Sequence, residues 1–162
     1  MAPRLEFVES EPRWRRACAT RKLAREAVAA AAEEAGVGLA RGAELTLHLV
    51  DDSAIRDLNK QWRGKDAATN VLSFPAASAG RLAGARLLGD VFVALETLTR
   101  EAAAEGKPLA DHYRHLVAHG FLHLIGFDHE TPAEAEAMEA IETRALARLG
   151  VADPYAGQEL AS

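Results

Sequence analysis

The sequence of 162 residues contains a single cysteine, Cys18, and no run of about 18 apolar residues. One cysteine excludes an internal disulfide and a cysteine-based zinc site, so any metal must be bound by histidine or carboxylate. The missing apolar run predicts no transmembrane helix, and we expect no membrane partner. Residues 1–11 lack the apolar core of a secretory signal, so the cytoplasm is the expected location.

Excess positive charge is missing too, because the formal net charge is −5 at pH 7. The charge is nevertheless uneven: residues 1–65 hold 12 Lys+Arg against 10 Asp+Glu, and residues 66–162 hold 7 against 14. An acidic protein can therefore still present a basic surface to a polyanion. The basic segment at residues 13–25 is most simply a solvated helix face. The alternative is a contact surface for a polyanion such as a nucleic acid.

Hydrophobic residues make up 49% of the chain, enough for one packed domain, which we place at residues 1–152 with a frayed tail at 153–162. Apolar periodicity and turn residues predict an α+β fold, a small mixed four-stranded sheet packed with about five helices. The stretch 76–85 is expected to be a loop. The predicted strands lie at 5–8, 45–50, 70–75 and 89–95, and the predicted helices at 12–35, 53–62, 96–105, 109–125 and 133–149.

Five of the six histidines lie between His112 and His129. His119 and His123 are four residues apart on a predicted helix and therefore share one face. Gly126 ends that helix and lets the chain turn, so that His129 can return as a third ligand. Three imidazoles with an open fourth position are typical of catalytic zinc, and the sequence predicts one Zn²⁺ ion.

The residues around this trio have less specific roles. For His112 and His115, on the same stripe, we favour packing or hydrogen bonding behind the ligands over metal binding. Asp128 could orient a ligand imidazole or cap a turn, and His48 is expected to be structural. The acidic residues of the last helix should face away from a polyanionic substrate; they are Glu134, Glu136, Glu139 and Glu142.

The histidine spacing resembles the long zinc signature of the metzincin peptidases, which predicts a metzincin-like zinc helix. One position departs from that signature. Gly120 follows the first histidine, where the peptidases carry the glutamate that acts as general base. A metallopeptidase is therefore disfavoured, and we keep it as an alternative.

Two motifs together resemble the YbeY family of bacterial endoribonucleases. The first reads NKQWRGKD at 59–66 and continues as TNVLSFP at 69–75, and the second reads HGFLHLIGFDH at 119–129. The Gly89-Asp90-Val91 segment and the acidic helix after His129 are similar as well. The resemblance covers about residues 44–149, and Gly120 is normal for this family.

This resemblance implies a zinc-dependent, single-strand-specific endoribonuclease that acts in ribosomal RNA processing. It implies maturation of the small-subunit RNA 3′ end and ribosome quality control, with single-stranded ribosomal RNA and the ribosome or its proteins as partners. The family's zinc ligands correspond to His119, His123 and His129, and its functional arginine corresponds to Arg63. A guanidinium beside the metal could bind phosphate through two hydrogen bonds and stabilise its growing charge.

Several neighbours of Arg63 are candidates for substrate binding. Lys65 could hold the RNA backbone, and Asn70 and Ser73 could line the cleft or fix the geometry between loop and strand. Trp62 could stack a base, but core packing is the favoured interpretation. Water and the substrate's 2′-hydroxyl both remain candidate nucleophiles, and a non-catalytic assembly factor with structural zinc is a further alternative.

Overall fold

The structure, a computed structural model, describes residues 2–156. Within this range no helix is both long and apolar enough to cross a bilayer. The α+β prediction is confirmed, with four strands and six α-helices in the described range. The elements in chain order are β1 (Arg4–Glu9), α1 (Trp14–Ala17), α2 (Thr20–Ala35), β2 (Glu44–Val50), α3 (Asp52–Arg63), β3 (Val71–Pro75), a 3₁₀ helix (Ala79–Gly84), β4 (Leu87–Ala94), α4 (Leu95–Glu105), α5 (Leu109–Leu124) and α6 (Pro132–Arg148).

The four strands form one mixed sheet in the order β1-β2-β4-β3. β1, β2 and β4 run parallel, and β3 pairs antiparallel with β4. β3 is an edge strand and ends at Pro75, which has no N–H to continue a ladder. Backbone groups of alternate β3 residues therefore face away from the sheet.

The sheet divides the core into two parts. On one face, the buried Leu45, Leu47 and Leu49 of β2 pack in the same cluster as residues of α2, α5 and α6. On the other face, Ile55 of α3 packs against Val50, Leu72 and Ala94 at one end of the sheet. The remainder of this second face carries a row of rings, His48, Phe92 and Phe74, in neighbouring strands.

The helix expected at residues 12–35 is two helices, because the backbone is fully extended at Cys18 (φ −168°, ψ 177°). Trp14 in α1 is completely buried, its indole N–H donates to the Val50 carbonyl (2.9 Å), and its ring lies 5.5 Å from that of Tyr113. These tertiary contacts fix α1 independently of α2.

Two other segments differ in detail from the expectations. The stretch 76–85, expected to be a loop, contains the 3₁₀ helix. In the segment expected to be a frayed tail, residues 154–156 form a turn. The rest of that segment, 157–162, lies outside the described residues.

Candidate metal centre and active site

Three histidines meet where α5 ends. His119 and His123 lie one turn apart on α5, and Gly126, at φ 102°, reverses the chain so that His129 approaches both. Their ring centroids are 4.7 Å (119–123), 5.7 Å (119–129) and 4.9 Å (123–129) apart. One nitrogen from each ring lies within 4.8 Å of the others, which is close enough for all three to bind one ion.

These rings open into a cavity of about 530 Å³ that runs along the free edge of β3. The structure brings together most of the predicted site residues here. Lys65 and His115 are the predicted site residues that do not line this cavity. The lining consists of Arg63, Thr69, Asn70, Val71, Leu72, Ser73, Phe74, His119, His123, Asp128 and His129.

A carboxylate that the sequence analysis missed lies directly behind His119. Glu142 of α6 is completely buried, and its Oε1 lies 2.5 Å from Nδ1 of His119. Its Oε2 lies 3.1 Å from Nε2 of His115 and also accepts from the hydroxyl of Tyr155. The expectation that the acidic residues of α6 all face away from the site is therefore wrong for Glu142. His115 lies on the other side of this carboxylate, away from the cavity.

The Glu142 carboxylate fixes the proton of His119. Burial opposes its charge, but the hydrogen bonds from His115 and His119 outweigh burial and lower the pKa of Glu142 to about 2. An ionised carboxylate can only accept hydrogen bonds, so the His119 proton sits on Nδ1. The other ring nitrogen of His119, Nε2, faces Nε2 of His123, 3.2 Å away.

His123 is neutral at pH 7 because its pKa is lowered. Burial, reinforced by the neighbouring His119 and His129, lowers the pKa of His123 to about 4. Neutral imidazoles with free lone pairs are the form that binds a metal. The donor set therefore fits a divalent ion such as zinc, bound by His119, His123 and His129.

A second group of possible ligands consists of His115, His119 and Glu142, whose ligating atoms also lie within 4.8 Å of one another. Here His119 and Glu142 already satisfy each other through a hydrogen bond. A carboxylate that accepts from the second nitrogen of a ligand imidazole is the usual support of a zinc ligand. We interpret this group as the support of the three-histidine site.

The remaining polar candidates in the cavity wall are engaged in local contacts. Asp128 accepts from the backbone N–H of His129 (2.8 Å), which is the turn-capping alternative. The Ser73 hydroxyl donates to the Gly120 carbonyl (2.9 Å) and so ties β3 to α5. The Asn70 amide donates to Glu101 (3.0 Å). Both hydrogen bonds match the alternative in which these side chains fix the local geometry.

The other two histidines, His48 and His112, each contact a carboxylate outside the cavity. Nε2 of His112 lies 2.8 Å from Oε1 of Glu101, the carboxylate that also accepts from Asn70. Nε2 of His48 lies 2.8 Å from Oδ1 of Asp90. Neither ring lines the cavity, in agreement with the roles expected for them.

Gly120 is required by packing. A Cβ at this position would lie 2.6 Å from Cγ1 of Val91 and 3.2 Å from both the Ser73 hydroxyl and Cγ2 of Val71. The helix therefore meets the sheet at this residue, and a glutamate here would point into the sheet. The position that serves the peptidases as general base is closed in this fold.

One expectation about the surroundings is wrong. Trp62 does not pack in the core, because it is 64% exposed at the end of α3. No residue of the basic segment 13–25 lines the cavity. The guanidinium groups of Arg21 and Arg25 lie over the ring of Phe7 in β1, the strand at the sheet edge opposite β3.

The fold is α+β with a mixed sheet, and three imidazoles and a guanidinium converge beside the edge strand. This is the arrangement of a metallohydrolase. A family model described as Endoribonuclease YbeY matches residues 10–150. The chain therefore belongs to the endoribonuclease YbeY family, and its enzyme class is a hydrolytic endoribonuclease.

Individual relatives agree with this assignment. The endoribonuclease YbeY of Methylocella silvestris is 47% identical over 155 residues, covering 96% of this chain and 87% of that protein. The protein of the same name from Bradyrhizobium sp. is 48% identical over 163 residues, covering 97% and 95%. The solution structure of TM1509 from Thermotoga maritima, 22% identical with a TM-score of 0.56 over 91% of each chain, has a similar fold.

Proposed function

We propose that this endoribonuclease uses one zinc ion to cleave single-stranded ribosomal RNA. Its role would lie in maturation of the small-subunit RNA 3′ end and in ribosome quality control. The observation that carries the proposal is one cavity in which three imidazoles and the Arg63 side chain converge. The ribosomal substrate rests on the motif resemblance, and it makes the ribosome or its proteins the partners and the cytoplasm the location.

Arg63 is the proposed phosphate-binding residue. No carboxylate among residues 2–156 lies within 4.0 Å of its guanidinium, so the charge is available to a ligand. A guanidinium binds two phosphate oxygens at once and stabilises the charge that grows on them during displacement. Zinc, when bound, supplies Lewis acidity and lowers the pKa of water towards neutrality.

The protein's own residues prepare the ligands. Glu142 keeps the His119 proton on Nδ1, and the depressed pKa of His123 keeps its ring neutral. The neutral His123 ring therefore loses no proton before it binds the ion. The nucleophile is water or the 2′-hydroxyl. A 3′-hydroxyl product would support hydrolysis by water, and a 2′,3′-cyclic phosphate or 3′-phosphate would support attack by the 2′-hydroxyl.

The alternatives have less support. A metallopeptidase lacks its general base, because Gly120 packs against Val91. Cleavage of casein or of a peptide library would revive it. A non-catalytic assembly factor would retain its role in ribosomal RNA processing after His119→Ala, provided that the variant still folds.

The test of the proposed function is cleavage of defined single- and double-stranded RNA by metal-replete protein, with and without a chelator. Arg63→Ala should keep its metal and its fold but lose about 10²–10³-fold in cleavage rate, as expected for one preorganised charge partner. Arg56→Ala is the matched control, because Arg56 lies on the same helix and pairs with Asp66 at 2.7 Å. Equal rates for both variants would remove Arg63 from the mechanism.

A further inference from the structure

Trp62 is a large apolar side chain exposed beside the candidate active site. Its indole is 64% exposed, whereas Trp14, the only other tryptophan of the chain, is completely buried. In residues 2–156, two further large hydrophobic side chains are exposed, Val8 and Leu87. Tryptophan has a large apolar ring and is enriched at binding interfaces, so an exposed indole beside a cleft is a candidate for ligand contact.

The indole is held at one edge. Its ring centroid lies 6.3 Å from that of Phe74, in an edge contact at 65°. Phe74 in turn meets Phe92 edge-on at 5.6 Å, and Phe92 stacks on His48 at 4.1 Å. This row of rings on the sheet supports Trp62 from one side and leaves most of its surface open to solvent.

The same residues connect Trp62 to the cavity. Phe74 and Arg63 both line the cavity, and Trp62 contacts the first and directly precedes the second. Neighbouring residues of a helix point about 100° apart, because there are 3.6 residues per turn. Arg63 is therefore directed to the cavity while Trp62 is directed to the rim beside it.

The charges around Trp62 favour a nucleic acid as the ligand. Arg63 and Lys65 follow it within three residues, and no carboxylate among residues 2–156 pairs with either one. Aromatic rings near unpaired cations bind single strands by stacking on bases while the cations meet the phosphates. A phosphate at Arg63 brings the base of an adjoining nucleotide within reach of the neighbouring indole.

We infer that Trp62 is a base-stacking subsite for the single-stranded RNA whose phosphate binds at Arg63. This inference rests on the proposed function and adds the substrate contact outside the cavity. In a duplex both faces of each base are covered by its neighbours, so only an unpaired nucleotide can stack on Trp62. The subsite therefore supplies a physical reason for preferring single strands, and it tolerates any base because every base has an aromatic face.

The first experiment separates binding from chemistry with Trp62→Leu and Trp62→Phe in the metal-replete full chain. Loss of one stacking contact should raise KM for a short single-stranded RNA about 5- to 150-fold in Trp62→Leu, with kcat nearly unchanged. Trp62→Phe should recover part of the loss. Val8→Ala, a change at an exposed position in the opposite edge strand β1, should keep the wild-type KM.

The second experiment replaces one base at a time by an abasic ribonucleotide. At a single position next to the cleaved bond, loss of the base should weaken RNA binding by the wild-type protein. It should leave RNA binding by Trp62→Leu unchanged, since the two changes remove the same contact. Binding of intact RNA should also quench the fluorescence of Trp62, which Trp14 cannot report because it is buried.

The outcomes distinguish the two proposals. A wild-type KM in Trp62→Leu, together with impaired cleavage in Arg63→Ala, would overturn the stacking subsite and leave the proposed function intact. If the wild-type protein cleaves no RNA, the proposed function fails. The quenching titration, with and without the base at each position, then decides separately whether RNA stacks on Trp62.

Discussion

At the scale of single residues, Glu142 is the group on which the candidate metal centre depends most. It accepts hydrogen bonds from His115, His119 and Tyr155, and it is fully buried. Burial, reinforced by the neighbouring Glu142 carboxylate, raises the pKa of the Tyr155 phenol far above its ordinary value, so Tyr155 remains a hydrogen-bond donor. Tyr155 therefore completes the hydrogen bonds of the Glu142 carboxylate that supports His119.

Glu142→Gln should weaken metal binding while preserving the shape of the side chain. An amide can present its NH₂ group to Nδ1 of His119 and so favour the wrong tautomer. Loss of such a support commonly lowers metal affinity by about 10–100-fold, which competition with a chromophoric chelator would measure. Glu136→Gln, an exposed position on the same helix, is the control. Equal affinities for the two variants would contradict the role of Glu142.

The sequence could predict the three histidines but not Glu142, for a physical reason. His119 and His123 are related by one helical turn, which is visible in the sequence, whereas Glu142 reaches His119 across 23 residues through the packing of α6. A weaker signal existed: Met138, Ile141 and Ala145 are buried on α6, and Glu142 falls on that same face. A carboxylate on the apolar face of a helix requires a buried partner.

At the scale of elements, the site depends on how closely α5 approaches the sheet. Gly120 allows the helix to contact Val91 of β4, and the Ser73 hydroxyl holds the Gly120 carbonyl from β3. This contact sets the distance between the histidines on α5 and the edge strand that forms the cavity wall. A wider gap would move the ligands away from Arg63.

Gly120→Ala should therefore destabilise the protein, although glycine to alanine usually stabilises a helix interior by about 0.5–1 kcal/mol. The added methyl would lie 2.6 Å from Val91, and overpacking of this kind costs about 1–3 kcal/mol. Urea denaturation would measure the loss. Gly38→Ala, where nothing lies within 4 Å, is the control.

A second substitution tests the cause of that loss. Val91→Ala should relieve the clash, so the double variant should be more stable than the sum of the single effects predicts. Additive losses, or a Gly120→Ala protein as stable as the wild type, would contradict the close-contact explanation.

Local pattern predicted most elements to within a few residues, because capping residues and glycines mark several of the helix ends. Asp51 caps α3 by accepting from the Ala54 N–H, and Thr131 caps α6 by accepting from the Glu134 N–H. The break at Cys18 could not be predicted in the same way. It follows from the burial of Trp14 against Tyr113, a contact between residues distant in sequence.

At the scale of the whole molecule, a net charge of −5 must be reconciled with a polyanionic substrate. The structure separates the basic residues into two regions. Arg21 and Arg25 lie over Phe7 at the β1 edge, which is about 14 Å from β3 across three strand spacings. Around β3, by contrast, Arg63 lines the cavity. Arg81 and Arg86 line a depression that begins at Ala76, just beyond the end of β3.

RNA binding should therefore depend on a small number of cations beside β3, and its affinity should fall with salt. With about four phosphate contacts, at Arg63, Lys65, Arg81 and Arg86, the logarithmic salt slope should be about −3, since each contact on a single strand contributes about −0.7. Changing Arg81 and Arg86 together to alanine should reduce the slope to about −1.5. The same change at Arg21 and Arg25, on the opposite edge, should leave it unaltered.

Fluorescence anisotropy of a labelled single strand across a salt series, with a chelator present to prevent cleavage, measures all three slopes. A flat wild-type slope would mean that stacking alone holds the RNA. A slope that changes only with Arg21 and Arg25 would move the binding surface to the β1 edge and away from the three histidines.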